Sequence, residues 1–222
     1  MGYIIAMGLV SWPRVGYSQD RTLSDEDKYG FFLAKNKKTV RVPFELYSNL
    51  ILVPVRINTS DTLRFILDTG VTNTILTDPT VLDRSSLRIV RSVSMSGIGE
   101  GEAVQADVAI DNQLIMGGMR ANRHTIVVLN EAALPLSDYV GVTVHGIFGY
   151  VVFSHFVVTI DFQQKELILT HPSRYTYRPR SGERIGMDLR DHKPVIEVAS
   201  VVQAGQEYPL RLVIDTGAGH AL

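Results

Sequence analysis

The chain has 222 residues, a formal net charge of −1 and no cysteine. That length suits one large domain, or one and a half smaller ones. The balanced charge leaves no basic footprint for nucleic acid, and the lack of cysteine excludes disulfides, thiol catalysis and Cys-ligated zinc.

The run Tyr3–Val10 is apolar, and a polar stretch from Ser18 to Lys28 follows it without a preceding basic region. Two readings stay open for residues 1–28, which are set apart from the fold. One is the tail of a secretory signal, which would make the protein extracytoplasmic, either periplasmic or secreted; the other is a disordered start or a mis-chosen start codon. Residues 29–42 read as a charged lead-in, irregular apart from Phe31-Phe32-Leu33.

Beyond Val40, short runs of Val, Ile, Leu, Phe and Thr alternate with Gly, Asn and Asp. They predict strands at Leu50–Ile57, Leu63–Leu67, Ala103–Ile110, Thr125–Leu129 and Phe156–Phe162. Short helices fit Asp78–Leu87 and Tyr150–His155, and no stretch holds a helical period beyond two turns. Val157–Phe162 and Glu166–Leu169 flank Gln163-Gln164-Lys165, which is hairpin chemistry without the usual Gly. No run approaches the length of a membrane helix. Many short strands indicate an all-β barrel or sandwich.

Residues 171–182 have linker composition, with Pro172, Pro179 and Gly182. The arginines there and at Arg184 read as a solvated connector rather than a binding patch. A first lobe therefore spans 43–170, and a second lobe begins at 183 and runs incomplete to 222. The second start echoes the first: strand, polar turn, strand, motif. Leu50–Val55 leads through Asn58-Thr59-Ser60 to one copy, and Pro194–Val198 leads through Gln203–Gln206 to the other.

The motif itself is doubled. Arg64-Phe65-Ile66-Leu67-Asp68-Thr69-Gly70 and Arg211-Leu212-Val213-Ile214-Asp215-Thr216-Gly217 are each Arg, three apolar residues and Asp-Thr-Gly. The apolar run buries a strand, the Asp sits at its end, the Thr hydroxyl locks the turn, and the Gly lets backbone approach closely. Two such loops face to face would bring two carboxylates together, and the pair would hold one proton at mildly acidic pH. One member then takes a proton from water while the other donates to a substrate carbonyl. A single Asp-Thr-Gly is more often a plain turn; the matching approaches favour the site.

With these residues in place, the chain resembles the retropepsin-like aspartic proteases, particularly bacterial two-lobed forms. Asp68-Thr69-Gly70 and Asp215-Thr216-Gly217 match the active-site loops of that family. His145-Gly146-Ile147-Phe148-Gly149 looks like its second signature, in which the chain passes behind the catalytic loop and Gly149 allows close packing. The resemblance implies an aspartic endopeptidase with Asp68 and Asp215 catalytic, no cofactor or metal, and a peptide or protein substrate. It implies a closed β-barrel first lobe, and for the second lobe only an opening hairpin and motif. It implies a flap over the cleft, where Gly97-Ile98-Gly99-Glu100-Gly101 supplies a flexible tip for substrate. Relatives of this type often carry a PDZ domain, and no such sequence is present here. Val71 stands where Ala or Ser is commoner in the family; Ala218 fits.

Other readings stand beside this one. The Gly97–Gly101 run lacks the spacing of a phosphate loop, and a plain hairpin turn is its ordinary alternative. His124, His145, His155, His171, His192 and His220 show no ligand spacing and read as scattered. Ser94 and Ser96 carry no hydrolase signature. Asn58-Thr59-Ser60 fits a glycosylation sequon and, better, a turn. Single-lobe relatives pair into homodimers, so a homodimer through the first lobe that sets Asp68 against Asp68 stays open. A non-catalytic peptide-binding scaffold that keeps the fold is the rival outside enzymes.

Overall fold

The computed structural model describes residues 28–34, 37–95, 103–131, 134–178, 182–190, 192–202 and 205–219. The apolar run Tyr3–Val10 and the proposed flap tip Gly97, Ile98, Gly99, Glu100 and Gly101 lie outside these residues, as does His220.

In chain order the strands open with β1 (Gly30–Leu33), β2 (Thr39–Pro43), β3 (Glu45–Tyr47), β4 (Leu50–Ile57) and β5 (Leu63–Leu67). Next come β6 (Thr74–Leu76), β7 (Arg88–Met95), β8 (Val104–Met116) and β9 (Met119–Leu129), then the short helix α1 (Leu136–Val140). After it follow β10 (Gly146–Phe148), β11 (Val157–Asp161) and β12 (Glu166–Thr170). The last three are β13 (Asp188–Arg190), β14 (Lys193–Val202) and β15 (Gln206–Val213).

Six strands close on themselves in the order β9-β6-β10-β5-β4-β8, with β8 pairing back to β9. This is the barrel of a retropepsin-like lobe. Closure removes the open edges that an antiparallel sheet would otherwise expose. Two steps are parallel, β10 on β5 and β6 on β9; the rest of the ring is antiparallel.

β4 is buried almost throughout because both of its faces are covered. Ile51, Val53, Val55 and Ile57 enter the main core with Phe65, Leu67, Leu114, Met116 and Phe148. The alternate residues Leu50 and Leu52 face the other way, onto Ile66, Val140 and Val144. That period-2 division is strand geometry, and α1 supplies the second cover. α1 was not foreseen in the sequence. It is a single turn stopped by Gly141 at φ 85°, a left-handed cap, and so is too short to show a periodicity.

The long hairpin β8–β9 extends both predicted strands through polar residues. Asn112 is buried and donates to the carbonyls of Ala109 (3.1 Å) and His124 (3.2 Å). Such satisfied polar groups cost little, and they hide the strand from a hydrophobicity reading. The Asn58 amide donates to Asn112 Oδ1 (2.9 Å) and its carbonyl accepts from Gln113 N (2.9 Å). The sequon asparagine is thus engaged inward, as a turn residue at φ 52°.

Residues 29–42 differ from the expected lead-in. β1 pairs antiparallel with β9, and β2 pairs antiparallel with β12. Val40 and Val42 are buried between exposed Thr39, Arg41 and Pro43, an alternation too brief to stand out among lysines. The β11–β12 hairpin forms without glycine because Lys165 takes φ 51° and Asp161 Oδ1 accepts from Gln163 N and Gln164 N, both 2.9 Å. The expected helices reduce to 3₁₀ turns at Pro79–Val81, Arg84–Ser86 and Tyr150–Val152. The first two are capped by Asp78 and Asp83.

β13, β14 and β15 form a separate three-stranded antiparallel sheet. β15 runs straight into the second Asp-Thr-Gly, as β5 runs into the first.

Candidate active site

β5 lies in the barrel wall with Phe65, Ile66 and Leu67 buried, so Asp68 emerges at its end with direction fixed. β10 runs parallel behind it, and Asp68 N donates to Phe148 O at 3.0 Å. Alternation along β10 turns Phe148 into the main core and Ile147 toward a third cluster with Ile75, Ala106 and Leu129. Gly149 follows where no side chain fits. A Cβ there would stand 2.4 Å from Val71 O and 2.5 Å from Asn73 O. Tyr150 N donates to Val71 O at 2.6 Å. Ile147-Phe148-Gly149 thereby backs the first loop, and Val71 itself packs against the third cluster.

The second loop meets the first. Thr69 Oγ1 donates to Ile214 O (2.5 Å) and accepts from Thr216 N (3.0 Å). Reciprocally, Thr216 Oγ1 donates to Leu67 O (2.7 Å) and accepts from Thr69 N (3.1 Å). Each threonine hydroxyl therefore bonds backbone of the opposite loop twice. Four mutual bonds make a near-symmetric fastening of segments 147 residues apart in sequence.

Within each loop the glycine N–H donates to its own aspartate: Gly70 N to Asp68 Oδ1 (2.7 Å) and Gly217 N to Asp215 Oδ1 (2.8 Å). Both glycines lie against the opposite carboxylate. A Cβ on Gly70 would stand 2.9 Å from Asp215 Oδ2, and one on Gly217 would stand 2.2 Å from Asp68 Cγ. All six residues of the doubled tripeptide are thus gathered at one place.

Electrostatics follow from this packing. Burial is the largest influence on Asp68; the Asp215 charge and a hydrogen bond with the Asp215 side chain add to it. The N–H groups of Gly70 and Val71 pull the other way. The net effect raises the Asp68 pKa from 3.8 to about 6, as expected for close carboxylates that cannot both ionise cheaply.

One contributor escaped the sequence reading. Ser48 and Asn49 form the tight β3–β4 turn, both at positive φ (48° and 63°). Asn49 Nδ2 donates to Gly219 O (3.2 Å), two residues beyond the second tripeptide, and Ser48 Oγ donates to Val140 O (3.3 Å). A Ser-Asn pair between apolar runs is a turn signal, but its partner lies 170 positions away.

A closed barrel whose interior strand ends in Asp-Thr-Gly, backed by a parallel strand and met by a second Asp-Thr-Gly loop, defines a retropepsin-like lobe with a paired-carboxylate site. Residues 53–152 match the aspartyl protease family model. The match includes the first motif and Ile147-Phe148-Gly149, and ends before the second motif. No curated protein matches the chain. Among the described residues, no helix is long and apolar enough to cross a membrane.

Proposed function

We propose that the protein is an aspartic endopeptidase that hydrolyses peptide bonds with one water held between Asp68 and Asp215. The observation that carries this reading is the reciprocal Thr69–Thr216 fastening, which sets the two carboxyl groups together. The raised pKa of Asp68 supports it, since one shared proton is what the chemistry requires.

The ionised carboxylate takes a proton from the water, whose oxygen attacks the peptide carbonyl carbon. The protonated carboxyl gives its proton to the carbonyl oxygen, which yields a neutral tetrahedral diol. Proton transfer to the amide nitrogen then lets the C–N bond break, leaving an acid and an amine. Thr69, Gly70, Thr216 and Gly217 hold the loops in place. The glycine-rich segment Gly97–Gly101, which lies between β7 and β8 in sequence, takes part in binding an extended substrate in this reading. Residues 1–28 direct the protein out of the cytoplasm, which cell fractionation tests.

Cleavage of a peptide library at mildly acidic pH, with and without pepstatin, tests the activity. Cleavage falls as pH rises through about 6, where the Asp68 proton is lost. Activity that survives Asp68→Asn defeats the reading, and peptides that bind without being cut point to the scaffold instead.

A further inference from the structure

A cavity of about 570 Å³ is separate from the paired carboxylates in its lining: no residue of either Asp-Thr-Gly lines it. The volume lies within the roughly 300–1,000 Å³ range of small-ligand sites. Its walls come from β1, from Thr72-Asn73-Thr74 behind the first motif, from β9 and from the segment after Gly149. Met187, Leu189 and His192 close it from the side of β13 and β14.

Three histidines that looked scattered in sequence converge here: His124, His155 and His192. Aromatic contacts hold them. The Phe31 ring stands 5.1 Å from His124 at 82° and 4.6 Å from His155 at 32°, and Tyr150 lies 6.3 Å from His192. They do not form a metal cluster among the described residues. His124 is bonded through Nε2 to Thr74 Oγ1 (2.9 Å) and stays neutral: burial, with His155 adding to it, lowers its pKa to about 4. His155 Nδ1 lies 2.9 Å from the Val151 carbonyl, an acceptor only, so Nδ1 carries the proton.

The charge is one-sided. Among the described residues, Arg123 lines the cavity and makes no ion pair, and no Asp or Glu lines it. Among these residues a cationic ligand finds no carboxylate, whereas an anion finds the Arg123 guanidinium, a strong partner for carboxylate. Phe31, Tyr150, Val151, Phe153 and Met187 supply apolar wall for a flat or branched body.

We propose that this cavity binds a compact aromatic carboxylate, its ring against Phe31, Phe153 and Met187 and its acid group on the Arg123 side. The same chemistry is offered by a free arylalkanoic acid and by the C-terminus of an aromatic-ending peptide. Titration calorimetry on the full chain separates the sources, with 3-phenylpropionate for the first and N-acetylphenylalanine for the second, each beside its neutral amide. The expected result is one saturable site per chain for at least one acid, with its amide bound at least tenfold more weakly. Arg123→Gln lowers acid affinity at least tenfold at an unchanged melting temperature. Leu189→Trp, placed at an exposed wall residue, blocks binding by filling space, and stands in if the arginine variant misfolds. The proposal is overturned if neither acid saturates, if acid and amide bind alike, or if both variants bind like the parent.

Discussion

The strand ends at Leu67 and Ile214 carry the same sequence pattern into the same tripeptide, yet their surroundings differ. Ile66 is 4% exposed, whereas Val213, at the same place in the pattern, is 45% exposed. Even the flanking arginines correspond: Arg64 pairs with Glu45 (3.3 Å) and Arg211 with Glu197 (3.2 Å), both in the open. Such exposed pairs are worth about 0–1 kcal/mol. The motif is thus written locally while its support is not. Asp68 is held by its own barrel, through Phe148 O and the backing of Gly149. The Asp215 loop is held on one side by its own sheet, where Ile214 N donates to Pro194 O at 2.8 Å, and on the other by the threonine fastening and the Asn49 bond to Gly219 O.

Breaking each support in turn sharpens the contrast. The largest effect belongs to Gly149→Ala, whose methyl would meet Val71 O and Asn73 O at 2.4 and 2.5 Å. Denaturant unfolding should show a loss of about 3 kcal/mol. Gly182→Ala, in the segment between the two regions, meets nothing within 4 Å, and its stability should stay within about 0.5 kcal/mol of the parent.

The next effect is a gain. Asp68 titrates at about 6 folded, against 3.8 ordinarily, so its ionised form is disfavoured by folding. The penalty is fully present at pH 7, shrinks as pH falls through 6 and is absent below 3.8. Asp68→Asn should therefore stabilise the protein at pH 7 by up to about 3 kcal/mol and leave it unchanged at pH 3. Thermal melts at both pH values check the sign. Smaller still is Asn49→Ala, which removes one bond to Gly219 O. It should cost about 1 kcal/mol, and hydrogen exchange should report it at residues 214–219 rather than in the barrel.

Much of this arrangement was legible in the sequence. β4 and β5 fall at Leu50–Ile57 and Leu63–Leu67 as their apolar runs indicate, because a strand covered on both faces needs continuous hydrophobicity. The doubled tripeptide announced the site because both loops obey one local chemistry. What stayed hidden depends on distance or on satisfied polarity. β1 and β2 are strands only because β9 and β12 offer edges. The polar half of the β8–β9 hairpin is stable only because Asn58, Asn112 and Gln113 bond one another. The gathering of His124, His155 and His192 follows from topology, and no spacing along the chain could show it.

In the proposed mechanism residue 215, from outside the barrel, completes the site that residue 68 begins. Comparing peptide cleavage at mildly acidic pH by the parent, Asp68→Asn and Asp215→Asn tests it most directly. Each substitution alone is expected to lower turnover by about a thousandfold or more. An Asp215→Asn variant that cleaves at the parent rate would contradict it, leaving Asp68 to work with some other carboxylate, such as Asp68 of a second copy.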